Sequence, residues 1–131
     1  MKKKLYFYIW VSPEFDRNVA VEVHRMCLKQ YVDRFDELNF IVSIGNDFSL
    51  DGDVAKAIAF IKDVCGDRDY NLFVVKNDEG FCECAAFQQF ILPLIAKEDD
   101  SMVFFGHVQG ASDVNMPFRN KYSVLRWVIS M

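Results

Sequence analysis

Three prolines, six glycines and two histidines are few for a chain of 131 residues, and the Gly-rich phosphate loops are missing with them. The first apolar run is followed by Ser12-Pro13-Glu14 and not by Gly-x-Gly-x-x-Gly, which argues against a dinucleotide site of the usual kind. Neither Gly-x-x-x-x-Gly-Lys-Ser/Thr nor a Gly-x-Ser-x-Gly nucleophile elbow occurs. A phospho-receiver domain would need acids after its first strand, an Asp closing its third and a Lys closing a later one. Glu14 and Asp78 match only loosely, and no such Lys follows.

Positive charge is also short. The formal net charge is −4, whereas nucleic-acid binding needs a basic patch that neutralises phosphates. Lys2-Lys3-Lys4 is the one basic run, and at a chain end it reads as solvated. No segment approaches the ~18 apolar residues of a membrane-spanning helix. Lys2–Lys4 followed by Leu5–Val11 imitates a signal peptide only faintly, because Ser12-Pro13-Glu14 is no small-residue cleavage site. The expected compartment is the cytoplasm. Cys27, Cys65, Cys82 and Cys84 lack zinc-ligand spacing. They are expected to be reduced, mostly buried thiols, with a redox pair as the alternative.

What is present is apolar bulk. Hydrophobic residues make up 52% and charged residues 26% of the chain, the balance of a globular domain with a sizeable core. Thirteen phenylalanines imply a core built from large aromatics, or a surface that meets another subunit; the core is the favoured reading. Lys4–Val11 is aromatic and β-branched almost throughout, as in a strand covered on both faces. Asp16 or Asn18 can cap a helix reaching about Arg34, with Ala20, Val23, His24, Cys27, Leu28, Tyr31 and Phe35 at spacings of three and four. His24 on this stripe reads as half-buried and structural.

Leu38–Gly45 is the second strand. Asp51 or Asp53 caps a second helix with Val54, Ala57, Ile58, Ile61, Val64 and Cys65 on one face, and Gly66 stops it. Tyr70–Lys76 is the third strand. Phe81–Lys97 is a third helix that Pro93 should kink or restart, with Phe87, Phe90, Ile91, Leu94 and Ile95 as its buried stripe. Met102–His107 reads as a buried fourth strand, and Tyr122–Met131 as an apolar final helix. The order βαβαβαβα predicts one α/β domain over 1–131, with a mostly parallel sheet of about four strands and right-handed crossovers.

Ligands of open parallel sheets sit outside the carboxyl ends of the strands. That rule selects the loops at Val11–Glu14, Gly45–Asp47, Asn77–Gly80 and His107–Ser112. The last holds the strongest candidates. His107 can donate a hydrogen bond, act as an acid near neutrality or bind a diphosphate when protonated. Gln109 can orient a ligand, and Gly110 lets the backbone approach it. The competing reading is a His that only satisfies turn carbonyls. Asp51-Gly52-Asp53 has the Asp-x-Asp form that can hold a divalent metal through oxygen ligands, although a place before a helix favours capping.

The series Asn77…Glu83-Cys-Ala-Ala-Phe87, Val103-Phe-Phe-Gly-His-Val-Gln-Gly-Ala-Ser112 and Leu125-Arg-Trp127 resembles a group of bacterial glycosyltransferase-like proteins. These carry a strand ending in His-Thr/Ser-Lys-Gly, an Asn…Glu segment opening the preceding helix and an Arg-Trp helix after it. They occur in surface-polysaccharide contexts. The resemblance implies a three-layer, Rossmann-like fold of the nucleotide-sugar transferase type, of which this chain is like the front part. It implies ligand contacts from His107, Gln109, Gly110, Asn77, Asp78 and Glu83. It matches Arg126-Trp127 to the terminal helix. Gln109 stands where that group has Lys, and Val108 where it has Thr or Ser, so a full positive charge is replaced by a neutral amide. No catalytic residue is assigned. The expected partner is a nucleotide sugar. The alternative is a non-enzymatic interaction or oligomerisation domain of the same fold.

Overall fold

In the computed structural model, which describes residues 1–11, 15–44, 50–76, 83–97 and 100–107 (backbone alone for 17, 50–53 and 83), the aromatic run Lys3–Val11 forms the central strand β1. β2 (Glu37–Ile44) and β4 (Met102–His107) flank it, and β3 (Asn71–Lys76) lies beyond β2. The order is β3-β2-β1-β4 and every pairing is parallel. The fold is therefore α/β and Rossmann-like, with helices between the strands.

The chain steps from β1 to β2 to β3 in one direction and then returns past both to β4. Right-handed crossovers put the helices of opposite steps on opposite faces, and the packing agrees. Helices α1 (Val19–Tyr31) and α2 (Leu50–Cys65) cover one face. There Leu5, Phe7, Ile9 and Val11 of β1 and Leu38, Phe40 and Val42 of β2 meet Val21, Leu28, Phe60 and Ile61. The other face carries Tyr6, Tyr8 and Ile41 against Ala86 and Ile91. Alternation along each strand produces this division.

Asn18, and not Asp16, caps α1: its side-chain oxygen accepts from the Ala20 N–H at 2.8 Å. Asp16 lies in a 3₁₀ turn and pairs with Lys56 at 3.3 Å. α1 ends at Tyr31 and passes through a 3₁₀ turn (Val32–Arg34), so Phe35 leaves the helical stripe and is extended. The Arg68 guanidinium ties this junction, donating to the carbonyls of Val32 and Phe35. Gly66, just beyond α2, has φ 60°, the left-handed conformation that glycine adopts without strain.

Several expectations need correction. Asp51 and Asp53 do not precede α2 as caps; their backbone lies inside its first turn, because the helix begins at Leu50. The third helix, described from Glu83 onward, is broken into α3 (Glu83–Ala86), a π turn (Phe87–Ile91) and α4 (Leu92–Ala96). Pro93 has no N–H to give, and the Leu92 N–H reaches back to the Phe87 carbonyl as the chain restarts. The wider turn shifts the phase of the stripe. Ile91 stays buried, while Ile95 is 63% exposed and Phe87 is exposed as well. β4 is not a fully buried strand, because it has a described neighbour on one side only, and Met102 and Phe104 are exposed. His24 is fully buried and not half-buried. Of the described thiols only Cys65 is buried; Cys27 is half-buried and Cys84 exposed. The final helix at 122–131 lies outside the described residues. Among the described residues no helix is long and apolar enough to cross a membrane.

Candidate functional site

The direction of chain travel reverses between β1 and β4. In open parallel sheets that reversal is the topological switch point, where the loops leaving neighbouring strands diverge and open a crevice. Sequence order alone did not make these two strands neighbours; the pairing of Lys3–Tyr8 with Met102–His107 does. His107 is the last residue of β4 and stands opposite Tyr8.

Val11, Ile44 and Lys76 are level with one another, and the described part of β4 reaches the level of Tyr8, where His107 stands.

Alternation puts His107 on the same face as Tyr8, Trp10 and Ser43, which are matched in register. This is the α3 face. Tyr8 and Ser43 are buried, and His107 and Trp10 are partly exposed. The Trp10 indole Nε1 is buried and has no hydrogen-bond partner among the described residues. Buried N–H groups are nearly always paired, so this donor near the carboxyl end of β1 is suited to an acceptor. The indole of Trp10 and the imidazole of His107, both partly exposed, thus share the upper end of one face with the buried Tyr8 and Ser43. An indole can stack on a planar ring, and both groups can donate to oxygens.

The second histidine lies on the opposite face. His24 packs against the Phe7 ring, with centroids 6.0 Å apart. Burial, and secondarily the charge of His107, push its pKa down to about 4. It is a neutral core residue near neutral pH.

Of the residues expected from sequence, the structure places His107 at the switch point and Glu83 at the first position of α3. Helix α3 follows the carboxyl end of β3, and its Ala86 packs with Tyr6, Tyr8 and Ile41. Asn77, Asp78, Gln109, Gly110 and the Arg126-Trp127 pair lie outside the described residues. Among the described residues no three His, Cys, Asp or Glu side chains are grouped to hold a metal ion. Sequence reading missed Tyr8, Trp10 and Ser43. The signal was present in the period of two along a strand that ends beside Ser12-Pro13-Glu14, but it was hidden because both faces of β1 are apolar. No family model, curated protein or solved structure matches the chain.

Proposed function

We propose that this chain is a glycosyltransferase-like α/β domain that binds a nucleotide sugar at the crevice between the carboxyl ends of β1 and β4. The observation that carries the reading is the position of His107 at the β1–β4 switch point, level with Tyr8. In this reading His107 and Gln109 face the diphosphate, and Gly110 gives it backbone access. Asn77, Asp78 and Glu83 face the nucleotide or sugar. Trp10 adds an aromatic surface and a donor from the neighbouring strand. A neutral Gln109 leaves the protonated form of His107 as the local positive charge for a diphosphate, so affinity should rise as pH falls below neutrality. A divalent ion, if required, would be recruited with the ligand's own phosphates. Transfer to an acceptor is the reaction class that the resemblance implies, in a polysaccharide-building context.

Calorimetric titration of UDP- and GDP-sugars, with and without manganese, tests this reading. Saturable binding by the intact chain that His107→Ala weakens is the expected result. No heat of binding at millimolar ligand under either condition would overturn it.

A second reading, an interaction or oligomerisation domain, draws on a separate observation. Phe87, Leu92 and Ile95 are exposed along the broken third helix, and apolar residues gathered on one element can meet a partner. Sedimentation separates the readings. A mass that grows with concentration, without nucleotide-sugar binding, supports this one.

A further inference from the structure

The α1 side of β4 is the part of the sheet that the described helices leave open. On that side Lys3, Leu5 and Phe7 of β1 stand level with Met102, Phe104 and Gly106 of β4. Between these strands and α1 lies a cavity of about 250 Å³, walled by Leu5, Leu28, Phe35 and Phe104, with Cys27 on its α1 side. Gly106 lines it too and contributes no side chain. From the level of Lys3 to that of Gly106 the lining extends about 13 Å along the strands. An apolar cavity of about 150 Å³ takes up benzene, so this one has room for a ring or a short alkyl chain.

Charge is confined to one end of the cavity. Lys3 and Arg34 line it beside the amino-terminal ends of β1 and β2. Both are exposed, so they stand at its mouth. Neither forms an ion pair among the described residues. The neighbouring carboxylates are engaged elsewhere: Glu37 with Lys2 at 3.5 Å, and Asp36 with the Lys3 backbone N–H at 2.7 Å. No acidic side chain is among the described residues that line the cavity. The Arg34 guanidinium lies over the Tyr31 ring, 4.9 Å from its centroid. A guanidinium stacked through its face still donates through its edge, in the fork that matches a carboxylate.

We propose that this cavity binds a small monocarboxylate with an apolar tail. The tail lies against Leu5, Leu28 and Phe104, and the carboxylate meets Lys3 and Arg34 at the mouth. Burial of the tail supplies most of the affinity. The two cations orient the ligand and discriminate against neutral analogues. This face offers apolar walls, and only its rim offers charge. The site is on the α1 face with its mouth at the amino-terminal ends of the strands, whereas the proposed nucleotide-sugar crevice is on the α3 face at the carboxyl ends. The inference does not depend on what that crevice binds.

Native thiols provide the test. Cys27 lines the cavity, and the exposed Cys84 of α3, across the sheet, is the internal reference. The full chain is alkylated with iodoacetamide in the presence of octanoate or phenylbutyrate, and labelling of each thiol is followed by mass spectrometry. The expected result is a saturable, several-fold slowing at Cys27 with Cys84 unchanged. Octanol, which has the tail but no charge, should need about fivefold more ligand for the same protection. Combining Lys3→Gln with Arg34→Gln, both at exposed positions, should remove that difference. Unchanged Cys27 labelling at millimolar concentrations of both acids, equal slowing of the two thiols, octanol protecting as well as octanoate, or a preference for octanoate that survives the double substitution would each overturn the proposal.

Discussion

Among the described residues, Leu5, Phe7, Ile9 and Val11 on one face of β1 enter a core of seventeen buried residues; on the other, Tyr6 and Tyr8 belong to a cluster of five. The larger face is almost wholly apolar, and its one buried imidazole is held neutral. The smaller face carries hydroxyls, an indole N–H, the buried side chains of Asn39 and Ser43, and the strand end with His107. Apolar bulk and polar groups are thus divided by the alternation of a single strand. A face that is fully packed with Leu, Ile and Phe has no polar atom to offer a ligand. A face with polar groups on a thinner core can offer several, at some loss of packing.

The sharpest way to break this division is to remove one ring from each side. Phe7 is fully buried, and Phe7→Ala should cost about 3–5 kcal/mol in urea unfolding. Acid should be next in size. His24 has its pKa lowered to about 4, whereas an unfolded His titrates near 6.5. The unfolded chain therefore binds the proton first. The stabilising contribution of neutral His24 is complete above pH ~6.5 and is lost as pH falls toward ~4, by about 3 kcal/mol. Denaturant midpoints at steps from pH 7 to 4 check this, and His24→Leu should flatten that part of the profile. Arg68→Ala, which removes two charged hydrogen bonds to the Val32 and Phe35 carbonyls, should cost about 2 kcal/mol. The smallest effect belongs to the thinner side. Phe87→Ala should cost about 1 kcal/mol, mostly its edge contact with Phe105. If Phe87→Ala proved as costly as Phe7→Ala, the two faces would share stability equally and the division would fail.

Local chemistry was legible in the sequence where one residue decides it. The β-branched and aromatic run of β1, a cap at Asp16 or Asn18, the stop at Gly66 and the restart at Pro93 each follow from a side chain's own preference. The strand order was not legible. Nothing in Met102–His107 says that it pairs with Lys3–Tyr8 rather than with β3, because parallel pairing is decided by how the crossovers pack. For the same reason the exposure of Phe104 was hidden; an apolar run reads alike at the centre and at the edge of a sheet. The misplaced outer end of the third-helix stripe has another cause. One π turn changes the phase of every residue after it, and a fixed helical period carries Ile95 to the wrong side. At the site, His107 could be chosen because a lone His at a strand end is conspicuous. Tyr8, Trp10 and Ser43 gain their meaning only from register.

The central proposal is that a nucleotide sugar binds on the α3 face at the carboxyl ends of β1 and β4. The most direct measurement is the indole N–H resonance of Trp10, assigned with Trp127→Phe and followed by two-dimensional NMR as a UDP- or GDP-sugar is added. The expected result is a saturating shift of that resonance with the same midpoint as the heat of binding, weakened together with it in His107→Ala. Binding that leaves the Trp10 indole unmoved, or moves resonances of Cys27 and Leu28 on the opposite face instead, would contradict it.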